Sequence, residues 1–133
     1  GYGVSMRFDA VINHFMFEAS FSKRVSITGN GLQHRSFIHI DKVVDILVNL
    51  LDGNLESGSY NLVHRVMPIL EVAANIKELY PYLEMIFVNQ HLKMRELKVK
   101  QDQRIMKFLS LPEKSFAAEL KEFMEKFHRS SAF

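Results

Sequence analysis

The sequence predicts a mixed α/β fold, and three observations carry that expectation. Short β-branched stretches alternate with longer segments whose apolar residues recur every three or four positions. Glycine or proline punctuates several of the junctions, at Gly29–Gly31, Gly53, Gly58, Pro68 and Pro81. The composition, 47% hydrophobic, 11% aromatic and 24% charged over 133 residues, is that of an ordinary globular chain. A chain of this length can bury about two-thirds of its unfolded surface.

The elements follow in order. Val11, Ile12, Phe15, Met16 and Ala19 share one face of a helix running within 8–21. Val25 to Thr28 alternates as a strand and runs into the turn Gly29-Asn30-Gly31. Ser36 to Ile40 reads as a second strand, with Arg35, Phe37 and His39 on one face and Ile38 and Ile40 on the other. Asp41 stands where an N-cap belongs. The helix after it carries Val43, Val44, Leu47, Leu50 and Leu51, which predicts burial on more than one side. Tyr60 to Val63 reads as a third strand. Pro68 suits the first position of a helix through Ile69, Val72, Ala73, Ile76 and Leu79, which ends at Tyr80-Pro81 because the residue before proline resists helix. Glu84 to Val88 is a fourth strand. Gln101 or Asp102 opens a short helix, and Ser115 caps a last amphipathic one with Phe116, Leu120, Phe123, Met124 and Phe127 on its apolar face. Between them, Gln90 to Lys100 is polar and basic and reads as a mobile loop.

Seventeen basic and fifteen acidic residues give a net charge of +2, too balanced to imply nucleic acid. The absence of cysteine excludes a disulfide frame, a thiolate nucleophile and a cysteine zinc site, and fits a cytoplasmic enzyme. No apolar run reaches the roughly eighteen residues of a membrane span, and the N-terminus lacks a signal-peptide layout. Of the six histidines, His34 and His39 are predicted on opposite sides of one strand, and the others stand singly. No metal site is expected from that spacing.

Arg35 is the residue most suited to binding chemistry. A guanidinium fork matches two phosphate oxygens and stays charged at any working pH, and a glycine turn beside it permits close backbone approach. The alternative is a surface arginine paired with Asp41 or Asp45. The Met and Phe stripes of the first and last helices read as core rather than as a ligand box.

The segment Gly29-Asn30-Gly31-Leu32-Gln33-His34-Arg35-Ser36-Phe37-Ile38-His39-Ile40-Asp41 resembles the "G-x-G-x-Q-x-R-x-F-x-H-V-x-D" pattern of the extended short-chain dehydrogenase/reductase family, the NAD-dependent sugar-nucleotide epimerases and dehydratases. Other segments are similar in the same order. Val25 to Gly29 looks like "I-x-I-Y-G", Gly58-Ser59-Tyr60-Asn61-Leu62 like "G-x-Y-N-V", and Ile69 to Ile76 like "S-I-x-E-L-A-x-x-I". Asp102 to Pro112 is similar to the "D-x-S-K-A…L-G-W-x-P" stretch before the last helix, with Ser110 and Leu111 in place of its glycine and tryptophan. Asn30 stands where an aspartate is usual.

The resemblance implies an α/β fold that is the C-terminal, substrate-binding portion of a two-domain Rossmann-type enzyme, lacking most of the dinucleotide-binding domain. Residues 1–133 are then one substrate-side fragment, whose Asp41–Val63 elements normally pack on the absent Rossmann sheet. Exposing them favours a homo-oligomer. The partner implied is a nucleotide-diphosphate sugar, with no nucleic acid and no membrane. Arg35 would grip the diphosphate. Thr28 and Gly29 fall where the family reads the base through main-chain groups, and Gln33 lies in the same lining. Arg95 corresponds to the second phosphate-binding arginine of an "R-x-G-D" loop, although Glu96-Leu97-Lys98 carries neither the glycine nor the aspartate. A solvated loop charge remains the other reading of Arg95.

NAD(P) would be held mainly by the absent half. Gly1-Tyr2-Gly3 is the only early glycine pair, and no third glycine follows at the spacing of a pyrophosphate cradle. Tyr2, Tyr60, Tyr80 and Tyr82 are followed four positions later by Met6, His64, Glu84 and Ile86, so the family's Tyr-x-x-x-Lys pair is missing. No catalytic residue is assigned, and the fragment is expected to be inactive. The reading from another class is a non-catalytic α/β interaction domain that binds an acidic partner or nucleic acid through the basic loop Lys93–Arg104. An intact small enzyme with an unrecognised site is the third.

Overall fold

The computed structural model describes Gly1–Ser131. In chain order these residues form α1 (Val11–Phe21), β1 (Arg24–Thr28), β2 (His34–Phe37), α2 (Ile40–Leu50), β3 (Arg65–Pro68), α3 (Ile69–Leu79), β4 (Glu84–Val88), α4 (Gln103–Met106) and α5 (Phe116–Ser131). They divide into two compact units. Unit 1 is built from Gly1–Gln33, Pro68–Arg95 and the chain from Lys114 onward, and unit 2 from His34–Met67 and Glu96–Glu113.

In unit 1, β1 and β4 pair in parallel, in register from Arg24↔Glu84 to Thr28↔Val88. The period-2 pattern of β1 sends Val25 and Ile27 fully inward while Arg24, Ser26 and Thr28 face out. α3 packs against α1, α5 and β1. Met16, Val72, Ile76 and Leu120 from these helices are also buried, each stabilising the fold by about 1.5–3 kcal/mol through removal from water. The start of α3 has no side-chain cap. Its first amides, on Ile69 and Leu70, instead donate to the carbonyls of Gln33 and Gly31 at 3.1 and 2.9 Å. α3 ends at Leu79 before Tyr80-Pro81, and Ser115 Oγ caps α5 by accepting from Ala118 N, both as the sequence predicts.

In unit 2, β2 pairs with β3, and His64 N donates to Phe37 O at 2.9 Å where that ladder begins. Ile46 of α2 packs with Ile105 and Met106 of α4, and Ile38, Leu50, Tyr60, Leu62 and Phe108 close around them. Asp45 clasps the chain after α4. Its Oδ2 accepts from Ser110 N at 2.6 Å and Leu111 N at 3.2 Å, and its Oδ1 from the Ser110 hydroxyl at 2.7 Å.

Several expectations shift. The second strand is His34–Phe37 rather than Ser36–Ile40, because His39 turns the chain and caps α2: its Nδ1 accepts from Asp41 N at 3.1 Å. Asp41 therefore lies in the first turn, where its charge suits the helix dipole, and is not the N-cap. Tyr60–Val63 is not a strand. Tyr60 and Leu62 pack into the α2/α4 cluster, and the ladder partner of β2 is Arg65–Pro68. The segment 90–100 has no regular structure, yet its second half is tied to β2: Leu97 N donates to His34 O, and Val99 N to Ser36 Oγ. In α2 only Lys42 and Ile46 are buried, so the expected burial on several sides is not met within this chain.

Candidate functional site

The predicted site residues fall in both units: Thr28, Gly29, Gln33 and Arg95 in unit 1, and Arg35 in unit 2. In unit 1 the turn from Thr28 to Gln33 follows the C-terminal end of a parallel strand, the position at which α/β sheets carry ligands. Gly29 and Gly31 both have φ of 77°, which a side chain resists. At Gly29 there is also no room, since a Cβ would stand 2.6 Å from Met94 Cγ and 3.2 Å from Leu92 O. The structure thus brings Gly29 against the loop that leads to Arg95, itself exposed.

The same turn is held from inside. Gly29 N donates to Val88 O at 2.9 Å, and Leu32 N to Asn30 Oδ1 at 3.0 Å. Gln33 is 6% exposed, and its Nε2 donates to Thr28 O at 2.9 Å while its Oε1 is buried with no hydrogen-bond partner. Gln33 and the Gly29 amide are therefore committed to the fold. Thr28 is exposed, and no hydrogen bond among the described residues uses its amide or hydroxyl, which leaves both among the groups of this turn open to a ligand.

In unit 2, Arg35 lies on β2 and is half-buried rather than exposed. Its Nη1 donates to His34 O at 2.8 Å, so one arm of the fork is oriented by the neighbouring carbonyl. Of the anticipated surface partners, Asp45 is occupied by Ser110 and Leu111, and those hydrogen bonds hold its carboxyl below the usual carboxylate range. Glu96 lies beside His34, with Oε2 at 3.2 Å from Nδ1. Partial desolvation acts to raise its pKa, and the hydrogen bonds from His34 outweigh that and lower it.

One polar cluster in unit 2 was not legible in the sequence. Lys42, only 4% exposed, places Nζ 3.1 Å from His64 Nδ1 and 3.0 Å from its Nε2, and His64 Nε2 lies 3.0 Å from Glu113 Oε1. Arg65 adds an ion pair to Glu113 at 3.5 Å. Desolvation raises the Glu113 pKa, but His64, Lys42 and Arg65 together lower it. Separations of 22 and 49 residues between these partners leave no spacing signal to read.

The described residues do not fit a dinucleotide cradle. That cradle needs a strand, a glycine turn and a helix whose N-terminus meets the pyrophosphate. Here the glycine turn leads from β1 to β2, and neither β2–α2 nor β3–α3 has a glycine at its junction. Among the described residues no group of three His, Cys, Asp or Glu side chains could hold a metal ion, and no helix is long and apolar enough to cross a membrane.

The arrangement of elements is that of the Rossmann-type extended short-chain dehydrogenase/reductases, over part of their length. An NAD-dependent NDP-hexosamine 5,6-dehydratase, TunA, involved in tunicamycin biosynthesis, superposes with a TM-score of 0.79 at 19% identity, over 96% of this chain and 42% of its own. MoeE5, solved in complex with UDP-glucose and NAD, gives 0.75 at 22% identity, over 97% and 44%. In sequence the chain is 31% identical over 81 residues to UDP-glucuronic acid decarboxylase 3 of Arabidopsis thaliana, covering 59% of this chain and 23% of that protein. No family model matches the sequence. The chain thus spans less than half the length of these solved structures and about a quarter of the curated relative.

Proposed function

We propose that this chain is the nucleotide-sugar recognition portion of an NAD-dependent sugar-nucleotide epimerase or dehydratase, with the Asp41–Val63 elements covered by a dinucleotide-binding domain in the intact enzyme. The observation that carries the reading is the Thr28–Gln33 turn. It follows a parallel strand, has two glycines at positive φ and keeps an open Thr28 amide, within a fold shared with enzymes of this kind. An apolar stripe on α2 supports the second clause: Ile40, Val44, Leu47, Val48 and Leu51 are each about half or more exposed, from 49% to 82%. NAD(P) would be bound elsewhere in the polypeptide, and no step of the redox chemistry is assigned to residues of this chain.

In this reading the Thr28–Gly29 main chain contacts the base, Gln33 fixes the turn, and Arg35 and Arg95 meet the diphosphate. No observation favours the basic-loop alternative. Arg104 is committed to Asp102 at 2.7 Å and lies over the Tyr60 ring, and Lys98 is 3.7 Å from Glu96.

The test is nucleotide-sugar affinity of the intact enzyme. Losing a charge-assisted contact costs about 1.5–3 kcal/mol, so Arg35→Ala is expected to weaken a nucleotide-sugar roughly ten- to a hundred-fold and spare a nucleoside without phosphates. Arg35→Lys recovers only part, because it keeps the charge and loses the fork. Equal weakening of both ligands, or of neither, would remove Arg35 from the site. The 133 residues alone are expected to convert no nucleotide-sugar with NAD, and turnover by them would overturn the fragment reading.

A further inference from the structure

We propose that the outer edge of β4 pairs with the same edge of a second copy of this chain, antiparallel and centred on Ile86, to give a four-stranded sheet in the order β1-β4-β4-β1. The hydrogen bonds that flank the parallel ladder, Glu84 N to Lys23 O at 3.0 Å and Gly29 N to Val88 O at 2.9 Å, fix its parity. Glu84, Ile86 and Val88 turn their main-chain groups to β1, so those of Met85 and Phe87 turn away. No hydrogen bond among the described residues uses the Met85 or Phe87 amide or carbonyl.

The two edges of this sheet are treated differently. On β1, the outward Ser26 amide is taken by Glu18 Oε2 at 3.2 Å and the outward Thr28 carbonyl by Gln33 Nε2 at 2.9 Å. The chain covers part of that edge with its own side chains. On β4 it does not, and the strand sequence Glu84-Met85-Ile86-Phe87-Val88 contains no lysine, proline or bulge to blunt it. β4 is also the outer strand by burial. On the inner face Val25 and Ile27 of β1 are fully covered, whereas their ladder partners Met85 and Phe87 of β4 are only partly buried.

The edge is self-complementary across a two-fold axis through Ile86. Met85 of one copy then exchanges both main-chain bonds with Phe87 of the other, and the reverse, so all four outward donors and acceptors on each strand are used. On the solvent face Ile86 meets Ile86 of the partner subunit, and Glu84 meets Val88 of the partner subunit. Glu84 stays 3.4 Å from Arg24 of its own chain, and no like charges are opposed. An interface this small gives a weak, concentration-dependent dimer.

The chain has no cysteine, so single substitutions provide clean cross-linking probes. In the proposed register the two Ile86 Cα atoms form a non-hydrogen-bonded pair about 4.5 Å apart, within disulfide reach. Under mild oxidant Ile86→Cys is expected to run mainly as a covalent dimer. Glu84→Cys and Val88→Cys are expected to stay monomeric alone and to cross-link when mixed. In sedimentation, Ile86→Lys and Ile86→Glu are each expected to lose association and to regain it on mixing, with unchanged far-ultraviolet circular dichroism. A monomeric Ile86→Cys, or equal cross-linking at all three positions, overturns the proposal. Association that survives Ile86→Lys does so too, and assigns self-contact to another surface such as the α2 stripe.

Discussion

In unit 1, Met16 of α1, Val25 and Ile27 of β1, and Val72 and Ile76 of α3 lose all their accessible surface to one another's elements. In unit 2 only Ile46, among the described residues, is buried to that degree, and the residue buried near it on the same helix is a lysine. Unit 1 is held by apolar packing. Unit 2 relies on a small cluster supplemented by polar clasps, Asp45 with Ser110, Asn49 with Phe108 O, and Lys42–His64–Glu113. It also leaves an apolar helix face in water. The two units of one chain thus reach order by different balances, and although apolar residues face solvent in both, in the one with the smaller core they form a continuous stripe along one helix.

The comparison is most sharply tested by the same substitution in both cores. Ile76→Ala is expected to destabilise by about 3–5 kcal/mol, and Ile46→Ala by about 2–3 kcal/mol because its surroundings are already half-exposed. Urea midpoints of the two variants measure the gap, and equal shifts would erase the distinction. Gly29→Ala combines a left-handed φ with a Cβ against Met94 and Leu92 O, and should cost about 1–3 kcal/mol. A neutral Gly29→Ala would mean that the turn relaxes.

The pH response should come from unit 2. Glu113 has a folded pKa below its unfolded value, so its contribution is full above the ordinary glutamate range and is lost as pH falls through the lowered value. The urea midpoint is expected to fall more steeply below about pH 4.5 in the native chain than in Glu113→Gln. Parallel curves would show that the Lys42–His64–Glu113 contacts contribute nothing. The smallest effect belongs to the α2 stripe. Leu47→Glu, at a position 52% exposed, should change stability by no more than about 0.5 kcal/mol while lowering binding of a hydrophobic dye.

Much of this was legible in the residues. The strand at Glu84–Val88, the stop at Tyr80-Pro81, the caps at Asp102 and Ser115, and the alternation in Val25–Thr28 follow from period and local chemistry, which lie within a few residues of sequence. The likeness to sugar-nucleotide dehydratases and epimerases was legible too, because it rests on spaced motifs. What failed depended on partners distant in sequence. Tyr60–Val63 has strand composition but no ladder neighbour, and His39 displaces Asp41 as cap through a ring nitrogen that propensity does not weigh. At the candidate site the positive-φ glycines were readable as a turn. That Gln33 is spent on Thr28, and that the turn caps α3, required the fold.

The parallel pairing of β1 with β4 has a kinetic consequence. Partners such as Ile27 and Phe87 are sixty positions apart, and unit 1 is assembled from three separate stretches of chain. Bringing those strands together closes a long loop before any ladder bond forms, and the entropy lost grows with loop length by about 0.6 kcal/mol per doubling. If His34–Met67 orders early around Ile46, the effective loop shortens and the small unit acts as a splint for the larger one. Refolding of Ile46→Ala should then slow in stopped-flow measurements as well as start from a less stable fold. An unchanged folding rate with faster unfolding would show that β1 and β4 find each other before unit 2 forms.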